Sequence, residues 1–160
     1  MITTINEIIG KLRDFTNANG FVSDFGYGEV SDISTTTAVN YPLIWATHIN
    51  NSNIIIQNGS AIPSLSFSIL SLDRINNEKP VTDENGATST NQSEVMSDRF
   101  QVLQDLILYL NFELKPLGVK IELNADLQPI FDDVDNTCGW LMNITFKLPY
   151  NNCYSTLPNK

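Results

Sequence analysis

Cysteine and histidine are scarce in this sequence, which has only Cys138, Cys153 and His48. Two cysteines without CxxC spacing are too few for a disulfide framework, and without nearby histidines they do not form a zinc site. Neither cysteine starts a predicted helix or adjoins basic residues that would stabilise a thiolate, so no Cys–His nucleophile pair is indicated. We interpret both cysteines as ordinary thiols in a reducing cytosol, and His48 as a structural or edge residue of a predicted strand.

Basic residues and long apolar runs are also few. Nine Lys and Arg side chains stand against eighteen Asp and Glu, giving a net charge of −9. Nucleic-acid binding needs phosphates neutralised by Lys and Arg, so we expect no sequence-specific nucleic acid as a partner. No run approaches the roughly 18 to 20 apolar residues of a membrane span, and MITTINEIIGKLRD lacks the order of a secretory signal. We therefore expect a soluble, unexported protein with no membrane partner.

The acidic segment FDDVDN is the closest approach to a metal-binding motif. It places Asp132, Asp133 and Asp135 within four positions, and hard cations favour several carboxylate oxygens. An EF-type loop beginning at Asp133 would need glycine at its sixth position and glutamate at its twelfth, where this chain has Cys138 and Ile144. The segment is predicted to be a solvated turn, and we expect no bound metal.

No other motif indicates catalysis. Gly26 and Gly28 in FGYGEV form a GxG pair without a third glycine or a following helix, which favours a turn over a nucleotide site. None of the eighteen carboxylates is marked as half of a glycosidase pair. The sequence thus predicts no cofactor and argues against an enzyme.

The first half of the chain is predicted to begin with a helix and continue in strands. Apolar residues at three- and four-residue steps predict a helix over Thr4–Phe15. A short strand is predicted at Glu29–Ile33, a hairpin of Leu43–Ile49 and Ile54–Gln57 around an Asn-rich turn, and a strand at Ser64–Leu72. In the last of these the apolar phase shifts at Leu70, which either a bulge or burial on both faces would explain.

The second half is predicted to contain the helix around which the fold is organised. Residues Asn91–Asn111 carry a broad apolar face, with Asn91 as N-cap and Glu94 completing a capping box. Val119–Leu127 and Gly139–Leu148 alternate as half-buried strands that should pair antiparallel. The predicted fold class is α+β, a mainly antiparallel sheet packed by two amphipathic helices in a single domain over residues 1–160.

Two polar segments are not predicted to fold by themselves. Residues 76–90 contain one weak hydrophobe, Val81, and residues 149–160 contain two prolines and three asparagines. The first is predicted to be either a protruding loop or long hairpin that orders on a neighbour, or simply disordered. The second is predicted to be an extended C-terminal arm.

This order of elements resembles the tail-terminator and tail-completion proteins of tailed bacteriophages, which form rings at the neck between head and tail. The segments that carry the resemblance are SDRFQVLQDLILYLN and DNTCGWLMNITFKLPYNNC, the second being similar to neck proteins from phages of Bacteroidetes-type hosts. The segment FVSDFGYGEVSDISTTTAV matches no element of that family.

The resemblance implies a virion structural protein, assembled in the host cytoplasm, that forms a homo-oligomeric ring and stacks on portal-side neck and tail-tube or tail-hub proteins. DNA would pass passively through the acidic lumen of such a ring. The alternative is a monomeric adaptor or binding protein with disordered loops. If the ring forms, the candidate contact residues are Glu78, Lys79, Val81, Asp83, Glu84, Asp98, Gln101, Asp105, Tyr150 and Tyr154.

Overall fold

The computed structural model describes residues 5–35, 39–57, 60–76, 81–82, 88–132 and 135–149. The helices are α1 (Ile5–Ala18), α2 (Ser31–Thr35) and α3 (Gln92–Leu114), the last continued by a 3-10 turn at Lys115–Leu117. The strands are β1 (Asp24–Gly28), β2 (Leu43–Thr47), β3 (Asn51–Gln57), β4 (Ser60–Arg74), β5 (Val81–Thr82), β6 (Thr88–Ser89), β7 (Lys120–Asp132) and β8 (Thr137–Lys147).

A six-stranded sheet is the centre of the fold. Its order is β1-β2-β4-β8-β7, with β3 paired to β4 beside β2. Only β1 and β2 run parallel, and all other pairs are antiparallel. The predicted α+β class and mainly antiparallel sheet are confirmed, as is the antiparallel pairing of the last two long strands.

Helices α1 and α3 pack side by side on one face of the sheet and enclose the main core. Their apolar positions meet the inward residues of the central strands, including Phe67, Ile69, Ile144 and Phe146. The buried residues of α3 include most of the predicted apolar face: Val95, Val102, Leu103, Leu106 and Leu110. This layer of helices confirms the prediction that the long helix lies across the sheet.

The opposite face of the sheet has a smaller core of its own. Leu43, Trp45, Leu70 and Leu72 are buried there, and Ile33 of α2 packs against them. Strand β4 therefore contributes to both cores. Its register with β8 runs without interruption from Ser64 to Arg74, so burial on both faces, and not a bulge, accounts for the phase shift at Leu70.

The predicted hairpin of Leu43–Ile49 and Ile54–Gln57 is wrong. Strands β2 and β3 follow one another along the same edge of β4, β2 beside Ile69–Leu72 and β3 beside Ser60–Ser66. The chain reverses after Gln57, which pairs with Ser60. Asparagines that resemble a turn are tolerated in β3 because the described side chains of this edge strand are exposed to water.

The predicted strand at Glu29–Ile33 and the predicted turn at Gly26 and Gly28 are also wrong. Both glycines lie in β1, and Ser31 begins α2. Gly26 is required because a Cβ there would overlap the Trp45 ring, whose Nε1 donates to the Gly28 carbonyl at 3.2 Å. In the first turn of α2, the Asp32 carboxylate accepts a hydrogen bond from the Glu29 N–H at 2.9 Å, which stabilises the start of the helix.

The beginning of α3 differs from the predicted capping box. The Asn91 side chain makes no capping hydrogen bond; its Oδ1 accepts instead from the Asn76 N–H at 2.7 Å. This bond joins the two ends of the segment between β4 and α3. Within that segment β5 and β6 pair antiparallel, with Val81 opposite Ser89 and Thr82 opposite Thr88. Residues 77–80 and 83–87 lie outside the described part of the chain, so the choice between a segment that orders on a neighbour and a disordered one stays a prediction.

Candidate interaction surfaces

Four of the ten predicted contact residues lie in the described part of the chain, three on α3 and one in β5. Asp98, Gln101 and Asp105 are exposed on α3. Val81 lies in β5. Glu78, Lys79, Asp83, Glu84, Tyr150 and Tyr154 lie outside the described residues.

The α3 outer face combines these polar residues with two large apolar ones. Gln101 Nε2 donates to Asp105 Oδ1 at 3.1 Å, one turn along the helix. Leu108 and Phe112 continue the same stripe and are 68% and 76% exposed. We call Asp98, Gln101, Asp105, Leu108 and Phe112 together the α3 outer face. Sequence reasoning missed its two hydrophobes, although their spacing places them away from the predicted apolar face.

A second apolar surface lies where β3 and the beginning of β4 extend beyond the last residue of β8. Lys147 pairs with Ser64, so the pairs from Ile54 opposite Pro63 to Gln57 opposite Ser60 project past it. Ile54 and Ile56 are 66% and 79% exposed, and Ile55 is exposed as well. We call the paired segments Asn51–Gln57 and Ser60–Ser66 the β3–β4 arm.

Charge is absent from the sequence around this arm. From Ile33 to Leu72 the chain has no Asp, Glu, Lys or Arg, although its net charge is −9. Acidic residues are therefore concentrated elsewhere, and two copies of the chain would repel each other less at the arm than over most of their surface. The uncharged run can be seen in the sequence alone. It indicates a contact surface only because Ile54, Ile55 and Ile56 are exposed, and the fold is needed to show that exposure.

A cleft of about 160 Å³ lies on the sheet face opposite α1 and α3. Its floor is apolar and includes Leu70, Leu72 and Leu141, while Asp132 and Asp135 lie at its border. Tyr41 forms one wall, and the Arg74 guanidinium carbon lies 5.2 Å from the centre of the Tyr41 ring. Burial, followed by the charge of Asp135, raises the pKa of the Tyr41 hydroxyl.

The buried side chains of Arg99 and Cys138 have environments that fit a role in packing and not in catalysis. Arg99 is 2% exposed, and its Nη1 donates to the Phe21 carbonyl at 2.9 Å, which joins α3 to the segment after α1. Burial lowers the pKa of Arg99, while the charges of Asp73 and Asp98 oppose this effect. Cys138 is a buried free thiol whose pKa is raised by burial, the opposite of an activated cysteine.

Metal-ligating side chains do not cluster among the residues that the structure describes: no three His, Cys, Asp or Glu come together there. Asp133 of the FDDVDN segment lies outside those residues. His48, exposed just after β2, forms an edge-to-face contact with Tyr27 at 5.1 Å between ring centres.

No described helix has the combination of length and apolar character that a membrane crossing requires.

Comparison with known proteins finds no family model that matches the chain and no curated protein with significant similarity to it.

Proposed function

We propose that this chain is a structural protein of a phage neck or tail, which forms a homo-oligomeric ring that terminates the tail or joins it to the head connector. The observation that carries the proposal is the presence of two separate exposed apolar surfaces on one subunit, the α3 outer face and the β3–β4 arm. A cyclic ring needs two different surfaces, because each subunit contacts one neighbour with one surface and the other neighbour with another.

The polar part of the α3 outer face supports the same role. Large apolar side chains rimmed by polar ones are typical of protein–protein contact sites. The acidic balance of the chain fits a lumen through which DNA passes without adhering. In this proposal the partners are other copies of the chain, portal-side neck proteins and tail-tube or tail-hub proteins, and the protein resides in the virion.

We expect the double substitution Leu108→Ser and Phe112→Ser to prevent ring formation without unfolding the subunit. Both side chains are exposed, so their loss removes contacts between subunits and little of the core. Electron microscopy and light scattering of the protein mixed with the portal-side and tail-tube proteins measure the effect, with at least about a tenfold fall in ring yield expected.

The matched control is Phe131→Ser, which removes an aromatic residue that is also exposed but lies on β7. It should leave ring yield unchanged. Failure of the wild-type protein to form any ring or complex with these partners would contradict the proposal.

The cleft favours a second candidate function, that of a monomeric adaptor which binds a partner segment. An apolar floor with carboxylates at its border suits a hydrophobic side chain flanked by lysines. Isothermal titration calorimetry with acetyl-Lys-Leu-Lys-amide should then show saturable binding that Asp135→Asn weakens about threefold or more. Asp98→Asn, on α3, is the control, and equal binding of the Glu-Leu-Glu peptide would contradict this function.

A further inference from the structure

We propose that β3 pairs with β3 of a second copy of this chain, antiparallel and about a two-fold axis at Ile54, so that one sheet continues through both subunits. This contact lies beyond the neck function proposed above and does not depend on it. The inference comes from comparing the edges of the sheet, because an edge strand with free N–H and C=O groups pairs with another chain unless something prevents it.

The β7 edge has several features that prevent pairing. Pro129 lies within the strand and supplies no N–H. The register with β8 shifts between Asn124 and Leu127, which distorts the edge. Lys120, Glu122 and Asp132 add charges along the same strand. Proline, a bulge and charge are the means by which sheet proteins avoid joining edge to edge, so this edge is protected.

The β1 edge is protected in a different way. It is five residues long, and helix α1 packs against it. The Asp24 carboxylate accepts a hydrogen bond from the Phe25 N–H at 2.9 Å, so this donor is already satisfied within the strand. Asp24 also adds a negative charge, and a symmetric contact would bring the Asp24 of a second copy to the same edge.

Strand β3 has none of these protective features. Its seven residues, NSNIIIQ, contain no charge and no proline, and their register with β4 is regular throughout. Within the described residues β3 pairs with β4 alone, which leaves its other edge open. Three consecutive isoleucines are exposed at this edge. An uncharged, regular and apolar edge strand is the type that adds a strand from another molecule.

Among the edge strands of the six-stranded sheet, a second copy of β3 is the partner that remains. A strand that pairs with β3 must itself be unprotected, and β1 and β7 are not. A contact about a two-fold axis brings two copies of the same edge together, so like charges come close to each other at a charged edge but not at this neutral one. The absence of repulsion at β3 matters in a chain of net charge −9, because two copies repel each other elsewhere.

The sequence of β3 suits pairing centred on its fourth residue. With Ile54 opposite Ile54, Ser52 lies opposite Ile56 and Asn53 opposite Ile55. Opposed residues share a face of the sheet, so Ile54 and Ile56 of both copies form one apolar strip. That strip lies on the helix-bearing face, because Ile54 is opposite Pro63, which is in phase with the core residues Phe67 and Ile69.

The relation to a ring follows from symmetry. A two-fold contact is absent from a single cyclic ring, and the β3–β4 arm is one of the two surfaces assigned to the ring, so one subunit cannot make both contacts at once. Neck or tail partners that drive ring assembly would therefore compete with the β3 contact. Without neck or tail partners it gives a dimer. The dimer therefore tests this proposal alone, whereas ring formation with tail proteins tests the proposed function.

The test is the mass of the purified full chain by size-exclusion chromatography with light scattering. Interfaces below about 1,200 Å² are weak and transient, so the measurement should cover about 10 to 500 µM protein. We expect the mass to rise from that of the 17.9 kDa monomer to twice that value. Ile54→Lys should weaken dimerisation at least about tenfold, since two lysines would face each other across the axis.

Phe131→Lys is the matched control, because it adds the same charge at an exposed aromatic position on the protected β7 edge. It should leave dimerisation unchanged. Circular dichroism of each variant checks that the fold is retained. A monomer at every concentration, or a dimer that Ile54→Lys does not weaken, would overturn the proposal.

Disulfide cross-linking is a second test, in which the β3–β3 contact is trapped and not weakened. In a Cys153→Ser background, Ile54→Cys should form a disulfide-linked dimer on mild oxidation, because residue 54 meets its own copy. Ile56→Cys should cross-link much more slowly, since it faces Ser52. Equal rates at the two positions would contradict the register, and faster linkage at position 56 would overturn the pairing about Ile54.

Discussion

Replacing Gly139 with alanine should destabilise the fold severely, although it adds a single methyl group. A Cβ at Gly139 would overlap the Ser71 carbonyl oxygen and lie 2.9 Å from the carbon of the same carbonyl. Both residues belong to the paired strands β4 and β8 in the middle of the sheet. The strands can admit the methyl group only by separating, which would break ladder hydrogen bonds and open both cores.

We expect a loss of at least about 4 kcal/mol in the free energy of unfolding, a large part of the roughly 5 to 15 kcal/mol that stabilises a typical domain. Thermal denaturation would show a fall in Tm of about 8 to 16 °C, or no cooperative transition at all. A change below about 1 kcal/mol would mean that the two strands are not packed this closely.

Gly10→Ala is the control for this substitution. Gly10 lies within α1, and a Cβ there would have no heavy atom within 4 Å. Alanine should stabilise the helix by about 0.5 to 1 kcal/mol, because glycine loses more backbone entropy on folding. The same chemical change is thus expected to have opposite signs at the two positions.

Arg99→Ala should also destabilise the fold strongly, though less than Gly139→Ala. It would empty a site that is 2% exposed and remove the donor that joins α3 to the Phe21 carbonyl. We expect a loss of about 3 kcal/mol from the cavity and the broken hydrogen bond together. Urea denaturation followed by circular dichroism measures this difference.

Arg99→Met separates packing from charge. Methionine fills much of the space of the arginine side chain. It also removes a guanidinium group that is costly to bury, because its Nε has no hydrogen-bond partner among the described residues. Phe21 is 70% exposed, so we expect water to replace the arginine as the donor to its carbonyl. The variant should lie within about 1 kcal/mol of the wild type, and a loss equal to that of Arg99→Ala would show that the hydrogen bond, and not packing, is decisive.

Long periodic segments were predictable from the sequence because one face of each had to be buried. The apolar steps of α3 and the alternation of β7 and β8 identify their elements and their pairing. The secondary-structure predictions were wrong where tertiary contacts override the local conformational preference of the residues. Gly26 and Gly28 resemble a turn, yet they form a strand because the Trp45 ring occupies the space beside them.

The candidate interaction surfaces were only partly predictable. Asp98, Gln101 and Asp105 follow from helical periodicity, which places them opposite the core. The exposure of Ile54 and Ile56 could not be predicted, because a run of isoleucines in a sequence normally indicates a buried strand. What exposes them is the position of β3 at the edge of the sheet, away from the strands on which α1 and α3 pack. That position depends on helices far away in the chain.

Strand β8 also determines when the fold can be completed during synthesis. It pairs with β4 on one side and β7 on the other, although Ser64 and its partner Lys147 are separated by more than half of the chain. Until the ribosome has released β8, one edge of β4 has no partner strand, and α3 lacks one of the strands on which it packs. Pairing at such long range is slow, so the nascent chain should expose β4 for longer than any helix. The alternating serines Ser64, Ser66 and Ser68 then keep one face of the unpaired strand polar.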